Sequence, residues 1–181
     1  RLTMALPLVD RLTPGDLDAL MLIERVAFQQ PWSRHMYLMD MTQNNLATYL
    51  VLRPGPGDEA RLPAILAYGG LWRMLDEGHI ATIASHPDYR GCGLGHTLLL
   101  ALIDEGVRQG IARSTLEVRV SNRVAQALYA QVGYEVVGER RRYYQDGENA
   151  LIMTTPPLNE PVMQARLAEQ RRAAAARQIG R

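Results

Sequence analysis

A glycine-rich segment in the middle of the chain constrains the fold more than any other feature. It reads Arg90-Gly91-Cys92-Gly93-Leu94-Gly95 and lies between two apolar runs. The first run predicts a strand, and the second predicts a long helix over residues 94–109 that ends at Gly110. Glycine tolerates turns that other residues avoid, and a helix start attracts anions through its free N–H groups and its dipole. The segment therefore predicts either a tight strand-to-helix turn or a loop that binds phosphate.

Two common nucleotide-binding motifs do not fit this segment. Its glycines are spaced GxGxG instead of GxGxxG, and three predicted strands precede the strand that leads into it, whereas a dinucleotide-binding fold carries its loop in the first strand-helix unit. All 20 basic residues are arginine, so the lysine of a phosphate-binding P-loop is missing. The absence of lysine also excludes Schiff-base chemistry on a lysine side chain.

The spacing of apolar residues predicts an α+β fold with one mixed sheet. The expected order of elements is β-α-α-β-β-β-α-β-α-β-β. Glycines 69 and 70 are expected to bend the third strand or place a bulge in it. Strands are expected at residues 6–12, 48–52, 62–72, 79–85, 114–120, 134–144 and 150–155, and helices at residues 13–28, 33–41, 94–109 and 122–132.

The length of 181 residues suits one domain with a short appendage. We assign residues 1–158 to the domain and residues 159–181 to a tail rich in arginine and alanine. This tail holds 5 Arg and 2 Glu and is expected to form a solvated helix or a frayed end. The net charge of +1 gives the chain no general nucleic-acid footprint, so direct nucleic-acid binding is not expected, and contact between the tail and RNA stays open.

The number of cysteines, the spacing of the histidines and the length of the apolar runs argue against a disulfide-rich protein, a metal-binding protein and a membrane protein. Cys92 is the single cysteine, so a disulfide framework is excluded and a reducing, cytoplasmic location is expected. The 4 histidines lack the spacing of metal-binding motifs, so no metal site is expected. No apolar run reaches the ~20 residues of a membrane span, so no membrane association is expected.

Several segments, taken in order, resemble one enzyme family. Arg90-x-x-Gly93-x-Gly95, with residues 83–89 before it, is similar to the pyrophosphate loop of the GCN5-related N-acetyltransferase (GNAT) superfamily. The resemblance covers about residues 6–155. Further segments resemble the RimI-type enzymes that acetylate the N-terminal alanine of a ribosomal protein, namely Pro31-Trp32-Ser33, residues 116–122, Ala127-Leu128-Tyr129, Gly133-Tyr134, residues 141–144 and residues 147–153.

This resemblance implies a GNAT fold, in which two central strands splay around acetyl-CoA. It also implies direct transfer of the acetyl group to a protein N-terminus, a small-subunit ribosomal protein in the first instance, within a ternary complex. Two alternatives remain. One is a GNAT enzyme that acts on another protein terminus, a lysine or a small amine, and the other is a non-catalytic module that binds acyl-CoA or the ribosome.

Two catalytic residues are implied by the resemblance. Glu117 would be the general base, acting through water or with a raised pKa, and Tyr129 would donate a hydrogen bond to the departing thiolate. From the residues alone, Glu117 is an ordinary carboxylate on the face of a strand opposite Leu116 and Val118. Tyr129 is, on the same basis, a core-facing aromatic side chain on a helical stripe.

The remaining site residues divide between the coenzyme and the acceptor. The resemblance implies that the backbone of Ile83, Ala84 and Ser85 pairs with the pantetheine arm, and that Asn122, which also caps a helix, bonds the same arm. Trp32 either packs against the first turns of a helix as a hydrophobic staple or lines the peptide entry. Of Tyr143 and Tyr144, only one can face that entry if their strand is regular. The acceptor residues implied are Trp32, Tyr143 and Tyr144, and the pyrophosphate residues are Arg90, Gly91, Cys92, Gly93, Leu94, Gly95 and His96.

Overall fold

The computed structural model describes the backbone of residues 4–179 and the side chains of residues 4–177. Seven strands form one sheet in the order β1-β2-β3-β4-β5-β7-β6. The strands are β1 (Leu8–Arg11), β2 (Ala47–Arg53), β3 (Ala67–Met74), β4 (Glu77–Ser85), β5 (Arg113–Arg119), β6 (Glu135–Arg140) and β7 (Ala150–Thr154). The helices are α1 (Leu17–Ala27), α2 (Arg34–Gln43), α3 (Leu94–Arg108), α4 (Arg123–Val132) and α5 (Pro161–Ile179).

The sheet is mixed, as the sequence predicted. β4 and β5 run parallel, and every other neighbouring pair of strands is antiparallel. Helix α3 makes the crossover between β4 and β5, which a parallel pair requires. The predicted order of elements through β7 is therefore confirmed, and the ladder between β3 and β4 is irregular between Gly70 and Leu71, where a bend was expected.

Helices cover both faces of the sheet. Leu50 and Leu52 of β2 face a cluster of buried side chains that includes residues of α3, α4 and α5. Tyr49 and Val51 of the same strand face a second cluster with α1 and α2. Successive side chains of a strand point to opposite faces, so an uninterrupted apolar strand contributes to both clusters.

The predicted third strand is shorter than expected at its start. β3 begins at Ala67, and residues 62–66 lie outside the strand. The N–H of Leu62 donates to the carbonyl of Asp58, which closes a turn, and the N–H of Leu66 donates to the carbonyl of Leu52. Leu62 and Leu66 are nevertheless buried. An apolar run reports burial as well as strand structure, and Pro63, which has no N–H to donate, breaks this run.

The arginine- and alanine-rich tail is helical over its described part, but one face of α5 is buried instead of solvated. Met163, Leu167, Gln170 and Ala174 lie along this face and pack on the rest of the chain. Their spacing of four, three and four residues places them on one side of a helix. The expectation of a solvated helix or frayed end is therefore wrong for this face, and residues 180–181 lie outside the described part.

Candidate active site

A cleft opens where β4 and β5 separate. The two strands pair only between Glu77–His79 and residues 113–115, and beyond that point β5 pairs with β7 alone. The cleft has a volume of ≈ 520 Å³. Seven of the predicted site residues line it, namely Trp32, Ile83, Glu117, Asn122, Tyr129, Tyr143 and Tyr144.

Glu117 projects into this cleft from β5. The strand alternates, so Leu116 and Val118 are buried in the core while Glu117 faces the opposite side. Its Oε2 lies 2.5 Å from Nε2 of His79, and its Oε1 lies 3.4 Å from Nε of Arg140. The hydrogen bond from His79, together with the nearby charge of Arg140, holds the pKa of Glu117 below its usual range despite partial burial. Of the two alternatives expected for Glu117, action through water or with a raised pKa, the lowered pKa does not fit the second.

His79 is the site residue that the sequence analysis missed. It lies opposite Thr115 in the short parallel ladder, directly before β4 and β5 separate. Its ring lies 6.2 Å from that of Trp72, and its Nδ1 is buried with no hydrogen-bond partner among the described residues. The available signal was its position in β4, two residues before Ala81 and four before Ile83, which also line the cleft.

Tyr129 lies on α4 with 7% of its surface exposed. Its ring packs 5.9 Å from that of Tyr134, so the prediction of a core-facing aromatic is confirmed, and the residue also lines the cleft. Burial raises the pKa of Tyr129 to about 12. No described residue makes a hydrogen bond with its hydroxyl, which leaves that group available to a bound molecule.

Trp32 both staples α2 and lines the cleft. It directly precedes Ser33, the N-cap residue of α2, and its ring lies 5.3 Å from that of Tyr37 in the second turn. Its backbone N–H donates to the buried carboxylate of Glu24 over 2.9 Å. Glu24 also accepts from the hydroxyls of Tyr37 and Tyr68, and these bonds hold this wall of the cleft together.

Tyr143 and Tyr144 lie in a turn outside any strand. β6 ends at Arg140, and Arg142 adopts a left-handed φ of 51°, so the strand predicted to reach residue 144 is too long. The expectation that only one of these tyrosines faces the entry required a regular strand; the turn removes strand alternation, and both rings line the cleft. Their rings lie 5.1 Å apart at 88°.

The glycine loop lies at the start of α3, outside the lining of this cleft. Gly91 and Gly93 adopt left-handed φ angles of 76° and 80°, which explains glycine at both positions. A Cβ at Gly95 would lie 3.7 Å from Oγ of Ser85, so the loop sits close to the end of β4. The predicted residues Ala84, Ser85 and 90–96 are thus adjacent to one another at one end of β4.

The side chain of His96 points into the protein. It is 3% exposed, and its Nε2 donates to Oε1 of Gln170 on α5 over 2.8 Å. The backbone of this residue is therefore the part that can meet an anion at the start of α3. Asn122 caps α4 as predicted, because its Oδ1 accepts from the N–H of Ala125 over 3.1 Å.

The described residues 4–177 contain neither a metal-binding cluster nor a membrane-spanning helix. No group of three histidine, cysteine, aspartate or glutamate side chains there is arranged to hold a metal ion. None of the helices in this part of the chain is long and apolar enough to cross a membrane.

Comparison with known proteins assigns the family. The profile of the acetyltransferase (GNAT) family matches residues 17–134. The ribosomal protein bS18-alanine N-acetyltransferase of Escherichia coli strain K12 is 36% identical over 151 residues, which cover 82% of this chain and 96% of that protein.

Solved structures agree with this assignment. The crystal structure of the ribosomal-protein-S18-alanine N-acetyltransferase from Escherichia coli superposes with a TM-score of 0.72 and 35% identity, covering 84% of this chain and 94% of that one. The NatC complex bound to Gag peptide and CoA shares the fold at 19% identity and a TM-score of 0.68, over 83% of this chain and 98% of that one. Since the family profile covers more than half of the chain, and a relative of 36% identity is covered almost from end to end, the chain belongs to the acetyltransferase (GNAT) family and is an N-acetyltransferase.

Proposed function

We propose that this protein transfers an acetyl group from acetyl-CoA to the α-amine of a protein N-terminus, and that its substrate is the N-terminal alanine of ribosomal protein bS18. The names of the relatives support the substrate. The observation that carries the reaction is the placement of Glu117 and Tyr129 on one cleft between β4 and β5. A cytoplasmic location is part of the proposal, since ribosomal proteins are made there.

The edge of β4 fits the pantetheine arm of acetyl-CoA, the donor that GNAT acetyltransferases use. Residues 83–85 pair with β3 on one side, while pairing with β5 ends at His79. The backbone groups on the other side are therefore free to bond an extended chain of amides, as an added strand would. Ile83 lines the cleft beside this edge, and Asn122 lies across it on the β5 side.

The start of α3 fits the diphosphate of the same molecule. The left-handed glycines 91 and 93 bring the backbone close to the surface, and the first N–H groups of α3 have no partner within the helix. Both features favour an anion at this point. We assign the diphosphate to the backbone of residues 90–96, with Arg90 exposed beside it.

Acetyl transfer needs a neutral amine, a polarised thioester carbonyl and stabilisation of the departing thiolate. Glu117 would accept the proton of the attacking amine, directly or through a water molecule. The hydroxyl of Tyr129 would donate a hydrogen bond to the thiolate as the carbon–sulfur bond breaks. A full proton transfer from a phenol of raised pKa is less favourable than this hydrogen bond.

An α-amine is the easier acceptor for such a site. With a pKa near ~8 it is about one tenth neutral at pH 7, whereas a lysine amine of pKa ~10.4 is neutral in about one part in 2,500. A carboxylate with a lowered pKa is a weak base, which suits an acceptor that is already partly deprotonated. This argument favours a protein terminus over a lysine.

Mass spectrometry of two peptides tests the proposal. The first carries the N-terminal sequence of bS18 with free alanine, and the second contains a lysine and is blocked at its α-amine. Addition of one acetyl group to the first peptide alone is the expected result. Acetylation of the lysine peptide alone would contradict the proposed acceptor. No acetylation of either peptide, with the variants Glu117→Gln and Tyr129→Phe binding CoA like the parent, would favour a non-catalytic module.

A further inference from the structure

His79 has a role that neither the family profile nor the names of the relatives assign. Its Nε2 lies 2.5 Å from Oε2 of Glu117, a short contact for a hydrogen bond that involves a charged oxygen. Both side chains are mostly buried, with 18% and 14% exposed. This contact bridges β4 and β5 at the point where the strands separate, so it lies at the apex of the cleft.

The direction of the hydrogen bond between His79 and Glu117 follows from the two groups that form it. Glu117 carries a lowered pKa and is therefore an acceptor, so Nε2 of His79 carries the hydrogen that it donates. Nδ1 is buried without a hydrogen-bond partner among the described residues. Among the described residues, the Nε2 contact with Glu117 is therefore the hydrogen bond that holds the ring.

The other groups around the carboxylate act on it less strongly. Arg140 approaches Oε1 at 3.4 Å with its side chain 54% exposed, so solvent screens this pair. The Tyr143 ring lines the same cleft, and burial, followed by the charge of Glu117, raises the pKa of its hydroxyl. The Trp72 ring lies 6.2 Å from that of His79. Of these groups, His79 makes the shorter contact with the carboxylate, 2.5 Å to Oε2 against 3.4 Å from Arg140 to Oε1.

We propose that His79 is a positioning residue for acetyl transfer: its Nε2–H holds Oε2 of Glu117 and leaves Oε1 to receive the proton of the acceptor amine. In that step an N–H bond of the amine breaks and an O–H bond forms at Oε1, the nitrogen lone pair forms the C–N bond to the thioester carbonyl carbon, and the carbon–sulfur bond breaks to release the thiolate of CoA. His79 gains and loses no proton. This inference rests on the proposed role of Glu117 as the base.

Two variants and a matched control test the inference. His79→Ala removes the donor, His79→Gln restores an amide N–H near the same place, and His35→Ala removes an exposed histidine of α2. The first readout is the ¹³C NMR titration of the Glu117 carboxyl group, which needs no acceptor peptide. The second is kcat and KM for the alanine peptide, with thermal unfolding as the check on folding.

The expected results separate positioning from a purely structural role. In His79→Ala the Glu117 titration moves to higher pH and kcat falls roughly 10- to 100-fold with little change in KM, because misplacing a reacting group by ~1 Å costs about that much. In His79→Gln the Glu117 titration and kcat both return most of the way to the parent values, and His35→Ala behaves like the parent. An unchanged titration in His79→Ala, or equal losses in His79→Ala and His79→Gln, would overturn the inference. A parent that does not acetylate the peptide would contradict the proposed function, while the titrations would still decide the positioning of Glu117.

Discussion

Nε2 of His96 lies 2.8 Å from Oε1 of Gln170, so the first turn of α3 is bonded to the last described element of the chain. Both side chains are buried, and the bond spans 74 positions in sequence. It joins the helix that follows the glycine loop to α5. The helix outside the family match thereby supports the part of the protein that we assign to the coenzyme diphosphate.

Breaking this bond is expected to lower stability. Gln170→Leu leaves the Nε2–H of His96 buried without an acceptor, and an unsatisfied buried donor costs about 1–3 kcal/mol. Urea unfolding followed by circular dichroism measures the free energy of unfolding. Arg172→Ala, an exposed change on the same helix, is the control and should stay within about 0.5 kcal/mol of the parent. Equal stability of the two variants would mean that the bond contributes nothing.

The same histidine predicts a dependence of stability on pH. Burial lowers the pKa of His96 in the folded protein below its ordinary value of 6.5. The unfolded chain therefore binds the proton more readily, and stability falls as the pH drops through about 6.5 towards the lower folded-state pKa. Unfolding measured from pH 8 to pH 5 should show this loss. In His96→Gln, which keeps an amide donor towards Gln170, the dependence over this range should be weaker.

The fold could be predicted from the sequence to a large extent because its signals are local. Ser33 and Asn122 cap helices where capping residues were expected, and Gly133 ends α4. The errors lie where tertiary contacts override local pattern. Leu66 is apolar because it is buried directly before β3, and α5 is apolar on one face because it packs on α3 and α4.

The site could be predicted only in part, since much of it depends on neighbours distant in sequence. The resemblance to the GNAT family implied Glu117 and Tyr129, and both line the cleft. The lowered pKa of Glu117 comes from His79 and Arg140, which lie on other strands, so no local pattern reports it. Tyr143 lines the cleft because it lies in a turn after β6, and the sequence analysis had predicted a strand at that position.

Removing the Tyr129 hydroxyl is expected to reduce kcat without unfolding the protein. In Tyr129→Phe no described partner loses a hydrogen bond, so stability should change little, whereas kcat should fall about 10- to 100-fold if the hydroxyl assists the leaving thiolate. Tyr134→Phe is the matched control. Its hydroxyl lies 2.6 Å from Oγ of buried Ser114, so that variant should lose about 1 kcal/mol of stability and keep its kcat. Steady-state kinetics and thermal unfolding distinguish the two results.

Substitution by alanine is expected to destabilise the protein by different amounts at the two left-handed glycines of the loop. Gly91 and Gly93 both have a left-handed φ, so alanine at either position costs about 1–2 kcal/mol of strain. A Cβ at Gly91 meets nothing within 4 Å, whereas at Gly93 it would lie 2.8 Å from Cδ of Arg177. Gly93→Ala should therefore lose more stability and more CoA affinity than Gly91→Ala. Calorimetric titration with CoA checks this order, and equal losses would show that Arg177 moves aside freely.

The ring of Tyr144 is expected to matter for the peptide more than for the coenzyme. The guanidinium carbon of Arg119 lies 3.9 Å from the centre of this ring, and Asp146 and Glu148 pair with Arg119 at 2.8 and 3.0 Å, so the ring has a fixed place on the cleft wall. Tyr144→Ala removes both the wall and the cation–π contact, whereas Tyr144→Phe keeps the ring. KM for the alanine peptide should rise roughly 5-fold or more in Tyr144→Ala and stay near the parent value in Tyr144→Phe, because truncating an aromatic contact at a binding site commonly costs more than about 1 kcal/mol. CoA affinity should be equal in all three proteins. A rise in KM for acetyl-CoA with unchanged KM for the peptide would place Tyr144 on the donor side of the cleft.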